Sequence, residues 1–259
     1  RLDIVEEVIE SENINIENYD RIVVVVSHYL LWSGGVSTVG KSSSLLNTDG
    51  EAVSLARISI NNINLPPFLV PWSPRTDFIL AHELGHSLGL WHAHGLDCGQ
   101  KSFATNCKYI EYGNNFDTMG QGTYSSHFNA FYKENLGWLF GINDVLYVNQ
   151  PGRYIIKNLE STSGVRLIKV GAENSDLPLF FVEYRRGTGF NSDLTQSSLS
   201  STINGLLVNQ ISFYTDSSLL DVQPTTASWN DDTRVLVVDN NHVFWEPESK
   251  IFIGQAVKQ

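Results

Sequence analysis

The chain has 259 residues, of which 42% are hydrophobic and 17% are charged, a composition typical of a folded protein with a sizeable core rather than of a disordered one. Its 28 acidic and 17 basic side chains give a formal net charge of −11, which argues against nucleic acid and anionic membranes as partners. The longest strongly apolar stretch, 22–32, is far shorter than the ~20 residues of a membrane-spanning helix. We expect any leader or pro-segment to lie outside these residues.

The first half of the chain mixes helical and extended patterns. Apolar residues at helical spacing alternate with β-branched runs, and four prolines mark a loop before the longest proline-free helical segment. Gly89 lies where that segment can stop, because glycine tolerates the left-handed conformation that ends many helices. The predicted helices cover 2–11, 76–90 and 125–136, and the predicted strands cover 20–27 and 53–60.

The pattern changes near residue 145, after which short apolar runs recur between turn residues. Such spacing is typical of a β-sandwich. The Ser/Thr-rich stretch 187–204 is predicted to be a long loop. The predicted strands cover 145–148, 154–156, 165–170, 179–184, 206–211, 235–238 and 251–253.

The helix predicted over 76–90 carries the motif His82-Glu83-Leu84-Gly85-His86. A spacing of four residues places two imidazoles on one helix face, where both can bind one metal ion. A turn at Gly89 would bring His92 to the same ion as a third ligand. Zinc held by three imidazoles keeps a water in the open position and lowers its pKa, and Glu83 can accept the water's proton as the general base. The motif predicts one catalytic Zn²⁺ and peptide hydrolysis through a metal-bound water.

The full pattern, His82-Glu83-x-x-His86-x-x-Gly89-x-x-His92, is that of the metzincin metallopeptidases, which also have a methionine turn further along the chain. The only methionine here is Met119, in Asn115-Phe116-Asp117-Thr118-Met119-Gly120. We therefore predict Met119 as the residue of the Met turn. The alternative is a methionine that fills a gap in the core.

Beyond this pattern, the stretches 82–94, 111–120 and 128–138 resemble the gametolysin family of metallopeptidases and its bacterial relatives, and 181–185 resembles it less specifically. The resemblance implies a secreted zinc endopeptidase that acts on extracellular proteins or glycoproteins. It also implies an α+β metzincin-like catalytic domain over 1–145, with a twisted mixed sheet, an active-site helix and a Met turn. A β-sandwich accessory domain is predicted over 146–259. We expect a monomer that binds neither nucleic acid nor membranes.

Cys98 and Cys107 are the only cysteines, and they lie in a segment rich in Gly, Asn and Ser where two thiols could close a small ring. The alternative is a pair of free thiols, as in a cytosolic protein. Their spacing matches no common zinc ribbon. The resemblance to secreted peptidases favours the disulfide.

Three further positions near the motif need an interpretation. Many metzincins have a tyrosine two residues after the methionine, but this chain has Gln121 there and Tyr124 as the nearest tyrosine. Tyr124 is therefore a candidate for oxyanion stabilisation or for an aromatic wall of the substrate site. His94 lacks the spacing of a ligand, and we expect a structural or supporting role. Trp91 and Trp138 are predicted to pack under the site.

Two alternative functions have motifs of their own. Residues 35–42, Gly-Val-Ser-Thr-Val-Gly-Lys-Ser, match the P-loop pattern, and 235–239 resembles an apolar strand that ends in a magnesium-binding Asp. The segment after Ser42 is too rich in loop formers to predict the helix that a P-loop opens. The other alternative is a binding or adhesive module with a vestigial zinc site, which Glu83 argues against. Acidic clusters at 230–232 and 239–240 could bind Ca²⁺ or be merely solvated.

Overall fold

The computed structural model describes residues 2–26, 34–41, 43–46, 52–61, 76–99, 107–120, 126–150, 152–171, 178–196, 205–212, 216–220, 236–237 and 242–245. The chain divides into two compact units, Arg1–Trp91 and His92–Gln259. Within the described ranges, no helix has both the length and the apolar character that crossing a membrane requires.

The first unit is a four-stranded sheet with two helices. Its elements are α1 (Leu2–Ser11), a 3-10 turn (Ile16–Asn18), β1 (Arg21–Val26), β2 (Gly34–Ser37), β3 (Ser43–Leu46), β4 (Ala52–Asn61) and α2 (Thr76–Ser87). The long central strand β4 pairs in parallel with β1 and antiparallel with β2 and β3. The helices predicted over 2–11 and 76–90 and the strands predicted over 20–27 and 53–60 are confirmed, and α2 ends three residues earlier than predicted. The sequence patterns did not predict β2 and β3.

Two apolar clusters form the core of this unit. One buries Ile9 of α1 with Ile16 and Leu45, which is the result of the helical spacing of apolar residues in α1. The other joins Ile58 of β4 to Phe78 and Ile79 of α2. Because these two residues lie in the first turn of α2, they anchor the start of the helix that carries the metal-binding motif.

The second unit is built on an eight-stranded sheet. Its elements are β5 (Ala93–Asp97), β6 (Lys108–Ile110), α3 (Ala130–Asn135), β7 (Val145–Val148), β8 (Gly152–Ile155), β9 (Leu167–Gly171), β10 (Pro178–Arg185), a 3-10 helix (Gly189–Gln196), β11 (Gly205–Ser212), β12 (Asp216–Leu220), β13 (Leu236–Val237) and β14 (His242–Trp245). The strand order in the sheet is β6-β5-β12-β11-β10-β9-β7, with β13 paired to β11, and β14 and β8 form a separate pair. The pairs β5–β12 and β7–β9 are parallel, and the other pairs are antiparallel.

Six of the strands predicted after residue 145 are present as β7–β11 and β13, and the predicted strand over 251–253 lies outside the described residues. The stretch 187–204, predicted as a loop, contains the 3-10 helix Gly189–Gln196. The sheet includes strands from both sides of residue 145. The boundary at 145/146 and the β-sandwich remain predictions.

The helix predicted over 125–136 is shorter than expected, since α3 begins at Ala130. Asn129 is the reason: its backbone is extended, and its side-chain oxygen accepts the N–H of Tyr132, which caps the helix. The apolar pattern alone extended the prediction too far towards the N-terminus. Ser125 lies outside the described residues.

Apolar side chains from neighbouring strands form the main core of the second unit. This cluster contains Val148, Ile156, Ile168, Val170, Phe180, Val182, Tyr184, Leu206, Val208 and Leu220. A disulfide joins Cys98 to Cys107, which confirms the prediction for this pair. Cys98 directly follows Asp97, the last residue of β5, and Cys107 directly precedes Lys108, the first residue of β6. Asp97 and Lys108 are paired across the two strands.

Candidate metal centre

The helix α2 carries two of the predicted ligands and the predicted base, and all three side chains are at least nine-tenths buried. The helix ends in a Schellman motif: Leu90 N–H donates to the carbonyl of Gly85, and Gly89 N–H donates to the carbonyl of His86. Gly89 has a φ of +97°, the left-handed conformation that such an ending requires. The predicted stop at Gly89 is therefore confirmed, and the chain turns there before His92.

Residues of the second unit hold His92 at three points. The hydroxyl of the buried Tyr132 donates to the main-chain carbonyl of His92 at 2.8 Å. The His92 ring lies against that of Tyr112, with 3.9 Å between ring centroids. Its Nδ1 lies 3.0 Å from Oε1 of Glu111. The backbone, ring face and one ring nitrogen of His92 are thus all positioned by neighbours.

His82, His86 and His92 come together: one ligand atom from each lies within 4.8 Å of the other two. The hydrogen bonds select which nitrogen faces the shared space. Nδ1 of His86 donates to the carbonyl of Leu90 at 2.8 Å, and Nδ1 of His92 donates to the Glu111 carboxylate. In the neutral form of each ring the proton is then on Nδ1, and the Nε2 lone pair can bind a metal ion.

The donor set fits Zn²⁺, which neutral imidazole nitrogens commonly bind. A hydrogen bond from the second ring nitrogen to a carboxylate or a main-chain carbonyl is the usual support of a zinc-bound histidine, and His86 and His92 both have it. The same imidazole set also suits other transition metals. The three histidines can therefore hold a metal ion, and their geometry alone does not select zinc among the metals that imidazole binds.

Glu83 is 6% exposed and lies between His82 and His86 in the sequence of α2. Burial raises the pKa of the Glu83 carboxyl to about 7, because desolvation disfavours the charged form. A cation close by would lower that pKa again. A carboxyl group whose pKa lies near neutrality can both accept and return a proton, which suits a general base.

Met119 is fully buried at the end of a tight turn. Its N–H donates to the side chain of Asp117, and its carbonyl accepts the N–H of Ala93 at 2.8 Å. Gly120 follows, and a Cβ at this position would lie 1.8 Å from the carbonyl oxygen of Asn114. The turn is therefore hydrogen-bonded to the residue after His92. The role itself remains a prediction.

Buried charges support this turn from within the second unit. The guanidinium of Arg185 pairs with Glu183 at 3.0 Å and donates to the carbonyl of Phe116 at 2.7 Å. Asp117 accepts main-chain N–H groups on both carboxylate oxygens, from Met119 and from Asn129, which favours the ionised form. Burial acts against this and raises the pKa of Asp117 to about 7. Through Arg185, the stretch 181–185 thus contacts the turn at the carbonyl of Phe116.

Other predicted positions have mixed outcomes. His94 is 5% exposed in β5, with its ring centroid 4.3 Å from that of Tyr109, and it does not belong to the histidine cluster. Trp91 and Trp138 are 50% and 53% exposed, so the prediction that they pack under the site is wrong. Positions outside the described residues are Gln121, Tyr124 and the acidic clusters at 230–232 and 239–240.

Two residues of the site were not predicted, Glu111 and Tyr132 as supports of His92. Glu111 stands in a stretch that resembles the gametolysin family, but nothing in the sequence pairs it with a histidine 19 residues away. Tyr132 was predicted only as a residue of the helix over 125–136. A carboxylate or hydroxyl that approaches a ligand only in the folded chain cannot be identified from the spacing of residues in the sequence.

Comparisons with protein-family models, with curated proteins and with solved structures gave no match to this chain. Three imidazoles that can share one ion, with a buried carboxyl group on the helix that carries two of them, are suited to activating water for hydrolysis.

Proposed function

We propose that this protein is a secreted zinc-dependent endopeptidase of the metzincin type, similar to the gametolysin family, that hydrolyses extracellular proteins or glycoproteins. The observation that carries the proposal is the convergence of His82, His86 and His92 within 4.8 Å. The base Glu83 lies in the same helix between two of these ligands. The extended spacing of the three histidines supports the metzincin assignment.

The roles of the residues follow from their positions. The three histidines hold the metal ion, and Glu111 and Tyr132 keep His92 in place. A bound Zn²⁺ would polarise the scissile carbonyl and acidify water. Glu83 would take the proton of the attacking water and then pass it to the leaving amine, which requires a carboxyl group that can exchange a proton at neutral pH.

Two further observations favour this proposal. The disulfide Cys98–Cys107 is typical of proteins that function in an oxidising compartment, and so supports secretion. The carbonyl of Met119, the only methionine of the chain, accepts the N–H of Ala93, the residue after the third histidine, and this supports the assignment of a Met turn. The monomeric state and the substrate class come from the resemblance alone.

The alternatives have less support. A P-loop requires that its Lys and Ser open a helix, but the segment after Lys41 contains the strand β3. The ammonium group of Lys41 pairs with Asp20, and the N–H of Gly40 donates to the carbonyl of His86 at 2.9 Å, so that this amide does not point to a phosphate. No contact of the described residues specifically favours the binding or adhesive module.

The deciding experiment compares the wild type with Glu83→Ala on denatured casein, with bound zinc quantified in both proteins. Asp77→Asn is the matched control, since Asp77 is an exposed carboxylate of the same helix. We expect one zinc in each protein, cleavage by the wild type and by Asp77→Asn, and a loss of at least 100-fold in Glu83→Ala, the lower end of general-base contributions being about 10².

Other outcomes have distinct meanings. Absence of zinc from the wild type after loading would contradict the metal site itself. Zinc without cleavage, also on glycoprotein substrates, would favour the binding module with a vestigial site. Full cleavage by Glu83→Ala would mean that another group is the base.

A further inference from the structure

The segment 35–41, which matches most of the P-loop pattern and is called the P-loop-like segment below, contacts α2. These contacts suggest a structural role for its two glycines, Gly35 and Gly40. Thr38 fastens the segment to β4, because its N–H donates to the carbonyl of Arg57 and its hydroxyl accepts the N–H of Arg57, both at 3.0 Å. Two residues further on, Gly40 N–H donates to the carbonyl of His86 at 2.9 Å. The segment therefore bridges the sheet and the active-site helix.

At its other end, the segment lies against the side chain of Glu83. A Cβ built on Gly35 would be 2.5 Å from Cγ, 2.6 Å from Oε1 and 2.8 Å from Cδ of Glu83. All three distances are shorter than any normal contact between carbon and oxygen or carbon atoms. Gly35 does not have a left-handed backbone, so it is the missing side chain, and not the backbone conformation, that makes glycine necessary here.

Glu83 could not avoid such a Cβ by a small movement. The closest atom is Cγ, whose position depends on the first side-chain torsion, so rotation of the carboxylate alone leaves the clash in place. A change of χ1 would move the whole side chain to another rotamer. Glu83 is 6% exposed, and a buried side chain has few other rotamers without steric conflict.

We propose that Gly35 is a positioning residue for Glu83: the absence of a side chain in β2 leaves the space in which the carboxylate is held. The two glycines of the P-loop-like pattern thus serve the active-site helix, Gly35 through the Glu83 side chain and Gly40 through the His86 carbonyl. The consequence for catalysis rests on the proposed function, in which Glu83 is the base. The contact itself does not depend on that function.

The test is a double-mutant cycle on the full zinc-loaded chain with Gly35→Ala, Glu83→Ala and the double variant. Thermal unfolding is measured for all of them, and kcat, KM for casein and zinc content are measured for Gly35→Ala and for a control variant. Val36→Ala is the control, since Val36 is the next residue of β2 and is 66% exposed. Thermal unfolding reports on the contact whether or not the protein is a peptidase.

We expect Gly35→Ala to lower the Tm when Glu83 is present and to leave it unchanged or raise it in the Glu83→Ala background. Alanine normally suits a strand better than glycine, so the sign of the effect depends on the Glu83 side chain. We expect kcat to fall at least tenfold while KM and zinc content stay near the wild-type values. Val36→Ala should leave kcat and zinc content unchanged.

Equal Tm changes in the two backgrounds would overturn the proposal, because a glycine needed only for packing of the strand would not depend on Glu83. A wild-type kcat in Gly35→Ala would also overturn it. If the wild type cleaves nothing, the proposed function fails, and the Tm cycle still decides whether Gly35 sets the position of the Glu83 side chain.

Discussion

The main-chain N–H of Ala93 donates to the carbonyl of Met119 at 2.8 Å, and the N–H of Asn114 donates back to the carbonyl of Ala93 at 3.2 Å. Ala93 directly follows the third histidine of the cluster. The turn that contains Met119 is therefore tied by two hydrogen bonds to the backbone that presents His92. A substitution that shifts this turn should therefore also shift His92 through the backbone, even if the substituted residue does not contact the metal.

Gly120→Ala tests the rigidity of this turn. A Cβ at Gly120 would lie 1.8 Å from the carbonyl oxygen of Asn114, and the main chains of Gly120 and Asn114 are both hydrogen-bonded, so that relief requires movement of the turn. We expect a loss of about 3 kcal/mol in the free energy of unfolding, as for other overpacked interiors, and weaker zinc binding. Urea denaturation and zinc titration measure the two effects.

Gly141→Ala is the matched control. Gly141 has a φ of +69°, and a Cβ there would have no atom within 4 Å. The cost should be limited to the strain of a left-handed alanine, about 1 kcal/mol, with unchanged zinc affinity. Equal losses in the two variants would mean that the turn adjusts freely.

Glu111→Gln tests the support of the third ligand. The carboxylate oxygen 3.0 Å from Nδ1 of His92 favours the tautomer that leaves Nε2 for the metal and makes the ring a stronger donor. Such supporting carboxylates commonly contribute 10–100-fold to metal affinity, and we expect about tenfold here because Glu111 is largely exposed. Competition with a chromophoric chelator measures the affinity.

Glu10→Gln, an exposed carboxylate of α1, removes the same charge and should leave zinc affinity unchanged. Peptidase activity of Glu111→Gln should return at high zinc concentration, because the variant lacks affinity and not a catalytic group. Wild-type affinity in Glu111→Gln would show that the Nδ1 contact does not matter for the metal.

The sequence predicted those parts of the site that depend on local spacing. His82 and His86 lie together because helix periodicity places residues four apart on one face, and Gly89 ends the helix because of its conformational freedom. Glu111 and Arg185 act through tertiary contacts: Glu111 meets a histidine 19 residues away, and Arg185 reaches the carbonyl of Phe116 across 69 residues. Such contacts depend on strand pairing, which hydrophobic patterns do not specify.

The strand β5 shows why the fold was harder to predict than the motif. Its sequence, Ala-His-Gly-Leu-Asp, has no alternation of apolar and polar residues, the signal on which strand prediction depends. It is a strand because β6 pairs with it on one side and β12 on the other. The β12 partner lies more than 100 residues further along the chain, so that only the assembled sheet reveals β5.

Replacement of both cysteines, in Cys98→Ser/Cys107→Ser, tests the contribution of the disulfide to stability. The two cysteines are nine positions apart and close the connection between β5 and β6. Loss of a ring of this size should cost about 2–3 kcal/mol, because the unfolded chain gains conformational freedom. Urea denaturation with and without dithiothreitol measures the effect.

Dithiothreitol should lower the stability of the wild type to that of the double variant and leave the variant unchanged. A wild type that is equally stable in both buffers would contradict a stabilising disulfide. Free-thiol titration of the unfolded, unreduced protein is the control, and it should find no thiol.

The pH dependence of stability should reflect His127. Its Nε2 donates to Glu160 at 2.8 Å, and its Nδ1 accepts from the ammonium group of Lys133 at 3.1 Å, so the ring is neutral. Burial, with the nearby charges of Lys133 and Arg185, lowers the pKa of His127 to about 4, although Glu160 acts in the other direction. In the unfolded chain this pKa returns to about 6.5.

Between pH 6.5 and 4 the unfolded state therefore binds a proton at His127 that the folded state does not. The contribution is complete above pH 6.5 and is lost as the pH falls towards 4. Over the full range it is on the order of 3 kcal/mol. In His127→Gln, the loss of unfolding free energy between pH 7 and pH 5 should be about 2 kcal/mol smaller than in the wild type.

Protons compete with zinc for imidazole ligands, and comparison of the two proteins removes that effect because both keep the same three ligands. Urea denaturation at pH 7 and pH 5, in zinc-loaded and in chelator-treated samples, measures the difference. A glutamine can still donate a hydrogen bond to Glu160. The variant therefore removes the group that binds the proton and keeps a donor for this hydrogen bond. If both proteins lose the same stability on acidification, His127 is protonated equally in the folded and unfolded states, and its buried contacts with Lys133 and Glu160 do not control its charge.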